Sequence, residues 1–310
     1  MKQNNKTTLA SIILISMSII WGLAYVGVQD AINHGWGPFA ILLVRTLLGG
    51  CAILPFTIKK GSYNKRGTFI GGAICGLLGF IALALQTYGQ RITTVSSTSF
   101  ITALYVVFVP ILTRVIFKTK EPWLVYLSCV ISIIGCFLLN LTWPLSINIE
   151  DLPGNLLVLL SAVFFALQIL AISYYSKKYS VLELTVVELF FMAFYSLIMM
   201  SITNDFSIST GGLFSLIWVG LLSSGLCSVF QMFGQKYLPE STAGILMSLE
   251  SVFGTLFAVI IFKEKLSWIQ IVGSLLIIAP VIICEVSIAK AKKKEEYLPP
   301  KEDPPKLIDK

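Results

Sequence analysis

Seven stretches of the chain run for 19 to 30 residues without a charged side chain. A helix that crosses a bilayer needs about 20 mostly apolar residues, so these stretches are long enough to span a membrane. Strands of an outer-membrane barrel would instead alternate apolar and polar side chains over roughly 10 residues. Because lipid offers backbone amides no partner, the pattern predicts a bundle of membrane-spanning α-helices. The seven stretches are Thr7–Gln29, Gly67–Gln90, Ile92–Thr113, Pro122–Ile149, Leu152–Ser176, Phe206–Gln235 and Leu266–Cys284.

Three further stretches are long and apolar enough to span a membrane but contain charged residues. Only 13% of the 310 residues are charged, whereas soluble domains carry about 25%, and the mean hydropathy is +0.84. We therefore predict an all-α polytopic membrane protein with ten transmembrane helices. The three stretches are Pro38–Ile58 with Arg45, Leu182–Asn204 with Glu183 and Glu188, and Glu240–Phe262 with Glu250.

The lysine and arginine residues fall mostly on one side of such a ten-helix chain. With the N-terminus in the cytoplasm, 16 of them lie inside, without counting the last three residues of this kind in the tail, and only Arg91, Lys263 and Lys265 lie outside. Cytoplasmic loops carry the excess of positive charge in membrane proteins. We therefore expect a multi-pass protein of the inner or plasma membrane with both termini in the cytoplasm.

The chain contains an internal repeat. The hexapeptide "QTYGQR" at 86–91 returns as "QMFGQK" at 231–236, which is an offset of 145 residues. The same offset joins Ser96 to Ser241 and Trp123 to Trp268. Spans three to five are therefore repeated as spans eight to ten. We leave two roles open for the repeated glutamines, which are helix capping and exposure to a central cavity.

Spans one and two match spans six and seven only weakly, at an offset near 143 that pairs Trp21 with Phe164 and Arg45 with Glu188. Each half then holds five spans, and an odd number forces the second half to enter the membrane from the opposite side. Inverted repeats of this kind are typical of secondary transporters. The expected organisation is a cytoplasmic N-terminus at 1–8, a first five-helix repeat at 9–141, an external loop at 142–152, a second repeat at 153–288 and a disordered cytoplasmic tail at 289–310.

Several segments resemble the drug/metabolite transporter superfamily, EamA type. They are "WGLAYVGVQDAI" at 21–32, "LLVRTLL" at 42–48, "ALQTYGQRITTVSSTSFITALYVVFVPIL" at 84–112 and "MSLESVFGTLFAVIIFKEKLSWIQIVGSLLIIAPVI" at 247–282. The resemblance implies two inverted EamA-like repeats around a central substrate cavity. It also implies transport, often export, of amino acids, other metabolites or drugs. The family usually has proline after its ninth-span glutamate, whereas this chain has Ser251 after Glu250.

Glu250 is the strongest candidate site residue because it lies near the middle of its span. An ionised carboxylate in hydrocarbon is costly unless it has a partner or faces a cavity. Three interpretations stay open: a structural pair with Arg45 or a glutamine, a contact to the amine of a substrate, and a proton-carrying group. Arg45 itself is expected either to bind an anionic or carboxylate group of the substrate or to form a structural pair.

Further polar side chains in the spans are candidates for the same cavity. Gln168 lies near the centre of span six, at the position that Tyr25 has in span one. Thr98, Thr102 and Tyr105 share one face of span four, and a polar face on a lipid-embedded helix is expected to turn inward. Their alternative role is hydrogen bonding between helices.

We expect a secondary transporter of a small polar or amphipathic, amino-acid-like metabolite, and not an enzyme. A multidrug or sugar-type carrier is the alternative within transport. A membrane-embedded enzyme or a sensor is disfavoured, since the chain has one histidine, His34, and no soluble output domain. No nucleotide-binding motif is present, so a proton or solute gradient is the expected energy source. We predict no cofactor, metal or nucleic-acid partner; the partners expected are the small-molecule substrate and the lipid bilayer, and a homo-oligomer is left open.

Overall fold

The computed structural model describes residues 3–58, 66–118, 123–139, 149–263, 268–269, 271–273, 275–280 and 282–283. Every regular element in this part of the chain is a helix. The predicted external loop lies largely outside the described residues, and the tail at 289–310 does so entirely. The α-helices are α1 (Gln3–Asn33), α2 (Pro38–Ile53), α3 (Pro55–Ile58), α4 (Arg66–Ile92), α5 (Val95–Ala103), α6 (Tyr105–Phe117), α7 (Trp123–Leu139), α8 (Leu152–Ser176), α9 (Val181–Thr203), α10 (Leu213–Trp218), α11 (Cys227–Tyr237), α12 (Glu240–Met247) and α13 (Leu249–Phe262).

Eight helical segments are long and apolar enough to cross a membrane, so the chain is a multi-pass membrane protein. The two other predicted spans coincide with shorter apolar helices, Trp123–Gly135 and Ile271–Pro280, whose surroundings are only partly described. Eight of the ten expected spans are thus confirmed by length and composition. The eight are Asn5–Asn33, Pro38–Thr57, Arg66–Ile92, Val95–Phe117, Leu152–Ser176, Val181–Thr203, Leu213–Tyr237 and Glu240–Ile261.

Two spans are interrupted near their middle. Leu104 separates α5 from α6, and Ser248 separates α12 from α13. Downstream of the first break, Pro110 has no N–H to donate to the Val106 carbonyl, which accepts a hydrogen bond from the Cys129 thiol instead at 3.2 Å. The second break occurs without proline. The two interruptions therefore have different local chemistry, although they lie within one residue of equivalent positions in the repeat.

The helix boundaries reproduce the sequence repeat. Helices α4 and α11 end 145 residues apart, and so do α6 and α13. The residues that terminate α6 and α13, Lys118 and Lys263, both adopt the left-handed conformation, with φ of 55° and 57°. A lysine in this conformation is uncommon, so its occurrence at equivalent positions indicates that the repeat extends to local backbone geometry.

The main helix packing joins the first half of the chain to the second. Helix α4 packs on α8 and α9, and α2 packs on α9 and on a π-helical turn at Val219–Leu226. Helix α1 packs on α11 and α13. Large apolar side chains such as Phe56, Phe214 and Trp268 are exposed on the outside of the bundle, as expected where lipid is the solvent.

Polar contacts close the two ends of the bundle. At one end, Trp36 Nε1 donates to the Gly211 carbonyl at 2.7 Å, and the Gly37 amide donates to the Ser207 carbonyl at 2.9 Å. At the other end, Lys177 Nζ lies 2.7 Å from Glu240 Oε1. We call these the Trp36 end and the Lys177 end.

Candidate functional site

A cavity of about 80 Å³ lies between the two halves of the chain. Residues of both halves line it, and some of them come from the interrupted span α12–α13 and from the π-helical turn Val219–Leu226. At about 15 Å³ per water, this volume accommodates roughly five water molecules. Helices broken near the middle of a membrane place backbone and polar side chains where a solute can reach them.

Arg45 forms one charged wall of the cavity. Its side chain is only 6% exposed. Arg45 Nε donates to Ser224 Oγ at 2.8 Å, and Nη2 donates to Ser223 Oγ at 3.1 Å. Among the described residues, no carboxylate lies within ion-pairing distance of this guanidinium group. The buried cation is therefore held by neutral hydroxyl groups and keeps its charge available to an anion in the cavity.

The π-helical turn positions these serines. Its wider winding brings Ser223 and Ser224 toward α2, and π-helical turns occur often at functional sites. The carbonyl of Ser223 also accepts a hydrogen bond from Trp21 Nε1 at 3.2 Å. Close packing supports the arrangement, because a Cβ atom at Gly49 of α2 would lie 2.8 Å from the Gly225 amide nitrogen.

Glu250 contributes a carboxyl group to a second wall of the cavity. It lies in the first turn of α13, immediately after the break at Ser248, and is 3% exposed. The hydroxyl groups of Tyr105 and Tyr25 lie within hydrogen-bonding reach of its carboxyl group. Its Oε1 atom has no hydrogen-bond partner among the described residues. Tyr25 lies within electrostatic reach of both Glu250 and Arg45, so the two charges belong to one site.

The break beside Glu250 is stabilised by helix α1. Ser18 Oγ lies 3.2 Å from the carbonyl oxygens of Leu246 and Met247, the last two residues of α12. Helix interruptions leave carbonyl groups without intrahelical partners, and a hydroxyl from a neighbouring helix can satisfy them. The position of Glu250 is thus fixed by contacts between the halves.

The glutamines of the repeated hexapeptide contribute to the cavity wall. Gln86 Nε2 donates to Thr102 Oγ1 at 2.9 Å and to the Tyr25 hydroxyl at 3.3 Å. Its counterpart Gln231 lines the same cavity, and so does Gln90, which donates to the Tyr25 carbonyl at 2.8 Å. Three of the four repeated glutamines thus line the cavity, whereas the fourth, Gln235, does not.

Gln168 connects the cavity to a buried carboxylate behind its wall. Its Nε2 atom donates to Glu188 Oε1 at 2.8 Å. A Cβ atom at Gly79 would overlap the Gln168 amide, so the glycine leaves room for this side chain. The polar neighbour that a mid-membrane glutamine requires is therefore Glu188.

Six of the seven residues predicted for the site line the cavity, and one does not. The six are Glu250, Gln168, Tyr105, Thr102, Tyr25 and Arg45. Thr98 is fully buried away from the lining, and its hydroxyl donates to the Thr94 carbonyl at 2.9 Å. Thr98 and Thr102 both lie in α5, before the break at Leu104, but only Thr102 reaches the cavity.

Sequence reasoning missed three serines in and just after the π-helical turn. Ser223 and Ser224 of the turn and Ser228 of α11 all line the cavity. They stand in "SSGLCS", a cluster of small polar residues inside an apolar span, and such clusters are typical of helix contacts in membranes. Trp21 and the glutamines at 86 and 231 were visible through the repeat, but their placement on the cavity wall required the structure.

Comparison with known proteins agrees with this architecture. The sequence profile of the EamA-like transporter family matches residues 8–141 and 152–284. An uncharacterized transporter of Archaeoglobus fulgidus is 28% identical over 288 residues, which cover 91% of this chain and 88% of the relative. An uncharacterized transporter of Methanothermobacter thermautotrophicus is 26% identical over 223 residues, which cover 71% of this chain and 65% of the relative.

A solved crystal structure shares the fold. It superposes with a TM-score of 0.74 at 14% sequence identity, and the match covers 90% of this chain and 98% of the other. The profile matches each half separately, and the two matches together cover most of the sequence. The chain is therefore a membrane transporter that belongs to the EamA-like transporter family.

Proposed function

We propose that the protein is a secondary transporter that moves a small zwitterionic, amino-acid-like metabolite across the cell membrane by alternating access. The observation that carries the proposal is the presence of two opposite charges, Arg45 and Glu250, on the walls of one buried cavity without an ion pair between them. Unpaired charges are expensive inside a membrane protein unless a ligand or water meets them. A solute with a carboxylate and an ammonium group complements both.

Each charge has neighbours that suit its proposed partner. At Arg45, the hydroxyls of Ser223 and Ser224 lie beside the guanidinium, so a substrate carboxylate can accept from all three groups. At Glu250, the Oε1 atom has no hydrogen-bond partner among the described residues, so it can accept a hydrogen bond from an ammonium group of the substrate. Tyr25 lies near both charges and is suited to orient the substrate between them.

The cavity volume separates this proposal from the multidrug alternative. The volume of about 80 Å³ is well below the roughly 300–1,000 Å³ of pockets that bind drug-sized ligands. A sugar-type substrate is neutral and would leave both Arg45 and Glu250 uncompensated. A zwitterion of a few heavy atoms fits the size and the charge of this site better than either alternative.

The inverted repeat is the proposed basis of alternating access. If spans alternate through the membrane, Trp36, Thr93, Asn155 and Gly211 fall on one side, which agrees with the hydrogen bonds Trp36–Gly211 and Thr93–Asn155. The Lys177–Glu240 ion pair joins two residues that fall on the other side. The packing pattern is also preserved when the halves are exchanged, since α4 packs on α8 as α1 packs on α11.

The cavity leans toward the Trp36 end. Gln90 lines the cavity, whereas its repeat counterpart Gln235 does not, and the Gln235 amide has no hydrogen-bond partner among the described residues. In the alternate conformation we expect the two glutamines to exchange environments. By the distribution of lysine and arginine, the Trp36 end faces outside and both termini face the cytoplasm.

The orientation can be tested by labelling single cysteines in a cysteine-free background. Phe206, which is 56% exposed, lies at the Trp36 end, and Lys178 is exposed at the Lys177 end. An impermeant thiol reagent applied to intact cells should label F206C and should label K178C only after the cells are broken. The reverse result would overturn the proposed orientation.

The transport proposal is tested with purified protein in liposomes and a panel of labelled amino acids, amines, carboxylates and sugars. Exchange of an amino acid between the two sides of the membrane should exceed that of neutral sugars, and the E250Q variant should lose it. We propose export as the physiological direction because the resemblance to the family implies it, with a proton or solute gradient as the driving force. Sugar exchange that is unaffected by E250Q would contradict the proposal.

A further inference from the structure

Glu188 is a buried carboxylate that the substrate site does not use. It lies in the second turn of α9, is 1% exposed and does not line the cavity. Its Oε1 accepts a hydrogen bond from Gln168, and its Oε2 has no hydrogen-bond partner among the described residues. No lysine, arginine or histidine in the described part of the chain lies within ion-pairing distance of it.

The surroundings of Glu188 include few groups that could share its charge. From α4, the glycines at 72 and 76 approach its backbone, and Cys75 is the titratable group that faces it. From α8, Gln168 faces it with a neutral amide. Arg45 of α2 is bound to the serines of the π-helical turn instead.

An ionised Glu188 would be an uncompensated charge in this environment. Burying a carboxylate without a partner costs several kcal/mol, and the group avoids the cost by taking up a proton. The glycine contacts leave α4 too close for a bound metal ion with its own ligands, since a Cβ atom at Gly76 would lie 2.8 Å from the Glu188 carbonyl oxygen. A proton is the ligand that this space admits.

The repeat gives Glu188 a second property. At the offset of 143 residues, it occupies the position that Arg45 has in the first half. Arg45 faces the cavity in this conformation, whereas the Gln168 side chain lies between Glu188 and the cavity. If inverted halves exchange their arrangements during transport, the Glu188 position turns toward the cavity in the alternate conformation.

We propose that Glu188 is the proton-binding site that couples transport to a proton gradient, with Gln168 as its link to the cavity. The carboxylate binds a proton when it faces water, and an O–H bond forms on Oε2. That bond breaks and the proton leaves when Glu188 reaches the opposite side. No electrons are transferred, and one proton crosses for each cycle. This inference rests on the proposed transport function and assigns its coupling site.

Glu188 suits this role better than Glu250. Glu250 lines the cavity with two tyrosine hydroxyls beside it, and the proposed substrate amine neutralises it directly. Glu188 is separated from the substrate by the Gln168 side chain and has no such counterion. A site that must exchange a proton without losing the substrate benefits from this separation.

The first experiment observes the carboxyl group itself. Infrared difference spectra of purified protein in lipid, recorded between acidic and alkaline pH, should contain the carbonyl band of a protonated carboxylic acid. We expect E188Q to remove one such band and E183Q to keep it. Glu183 is the matched control because it is also buried in the same helix. A spectrum of E188Q identical to that of the unmodified protein would overturn the assignment, whether or not transport has been detected.

The second experiment measures coupling. In liposomes, an imposed pH gradient should accumulate the transported amino acid, and E188Q should reduce the accumulation ratio to about one while exchange of bound substrate continues, because only the linkage between the two ligands is lost. E188D, which keeps the carboxyl group, should restore accumulation and guards against a folding defect of E188Q. Accumulation by E188Q equal to that of the unmodified protein would contradict the inference and leave the substrate site standing. Failure of the unmodified protein to exchange any amino acid would instead contradict the proposed function.

Discussion

Two helix interfaces each contain a buried ionisable side chain at equivalent positions of the repeat, and they differ in how they hold it. Where α2 meets the π-helical turn Val219–Leu226, Arg45 reaches the cavity and is bound by two serine hydroxyls. Where α9 meets α4, Glu188 is excluded from the cavity and has one amide partner. The first interface is built to present its charge and the second to enclose it.

The difference has a local cause in the partner helix. Span eight widens into a π-helical turn that carries serines, whereas α4 is a regular helix with glycines at 72, 76 and 79. Glycines let α9 approach closely and exclude water, and serines give a cation hydrogen-bond partners without neutralising it. Equivalent positions can thus serve different ligands when the facing helix changes.

The largest effect is expected on stability, from a substitution that separates α4 and α9 around Glu188. G76L adds a side chain whose Cβ atom alone would lie 2.8 Å from the Glu188 carbonyl oxygen, so α4 and α9 must separate. We expect more than about 3 kcal/mol of destabilisation, above the usual 1–3 kcal/mol of core overpacking, because backbone is displaced. Thermal unfolding in detergent measures it. The control is L77A on the lipid-facing side of α4, where Leu77 is 42% exposed. Its unfolding temperature should be close to that of the unmodified protein.

The next effect tests how the presented charge is held. R45K keeps the positive charge but loses the fork that contacts both Ser223 and Ser224. Hydrogen bonds to charged groups contribute about 1.5–3 kcal/mol each, so we expect substrate affinity to fall roughly 10- to 100-fold. Equilibrium binding measured by tryptophan fluorescence would show it. Unchanged affinity in R45K would place the substrate elsewhere.

A smaller effect separates two threonines of the same span. Thr102 lines the cavity and accepts from Gln86 at 2.9 Å, whereas Thr98 bonds only its own helix. Loss of one neutral hydrogen bond costs about 1 kcal/mol, so T102V should weaken substrate binding about fivefold. T98V is the matched control and should bind normally. An equal loss of substrate affinity in both variants would mean that the face shared by Thr98 and Thr102 acts in helix packing.

The smallest effect concerns the Lys177 end. The ion pair between Lys177 and Glu240 has a distance of 2.7 Å, but the lysine side chain is 46% exposed. Exposed pairs contribute about 0–1 kcal/mol, so K177A should change the unfolding temperature little. If this contact helps to keep the Lys177 end closed, K177A will raise the reactivity of a cysteine introduced at Gln235 toward thiol reagents. An unreactive Q235C would show that apolar packing alone closes this end.

Most of the fold was predictable because apolar stretches of this length leave helices as the only option. Two of the predicted spans coincide with shorter apolar helices, Trp123–Gly135 and Ile271–Pro280, and parts of these two predicted stretches lie beyond the described residues. The break at Ser248 was not predicted, because no proline stands there and the Ser18 hydroxyl of α1, which contacts the Leu246 and Met247 carbonyl oxygens, is distant in the sequence. Contacts between distant segments leave no local signal in one sequence.

The cavity wall was predictable where a charge or a large polar group stood in mid-span. Arg45, Gln168 and Glu250 were found for this reason, and all three line the cavity. The serines of the π-helical turn were missed because small hydroxyl residues are common in membrane helices and the extra residue of a π turn has no sequence signature of its own. Thr98 was assigned to the cavity because it lies one helical turn before Thr102 on the predicted polar face, whereas its hydroxyl donates to the Thr94 carbonyl of its own segment.

Binding of the substrate between Arg45 and Glu250 is tested best by comparing the affinities of three ligands for two variants. An amino acid, its analogue without the amino group and its analogue without the carboxyl group are titrated against R45A and E250Q. If the zwitterion bridges the two charges, R45A loses affinity only for ligands that carry a carboxylate, and E250Q loses affinity only for ligands that carry an amine. Equal losses for all three ligands in both variants, or none in either, would contradict a substrate bound between Arg45 and Glu250.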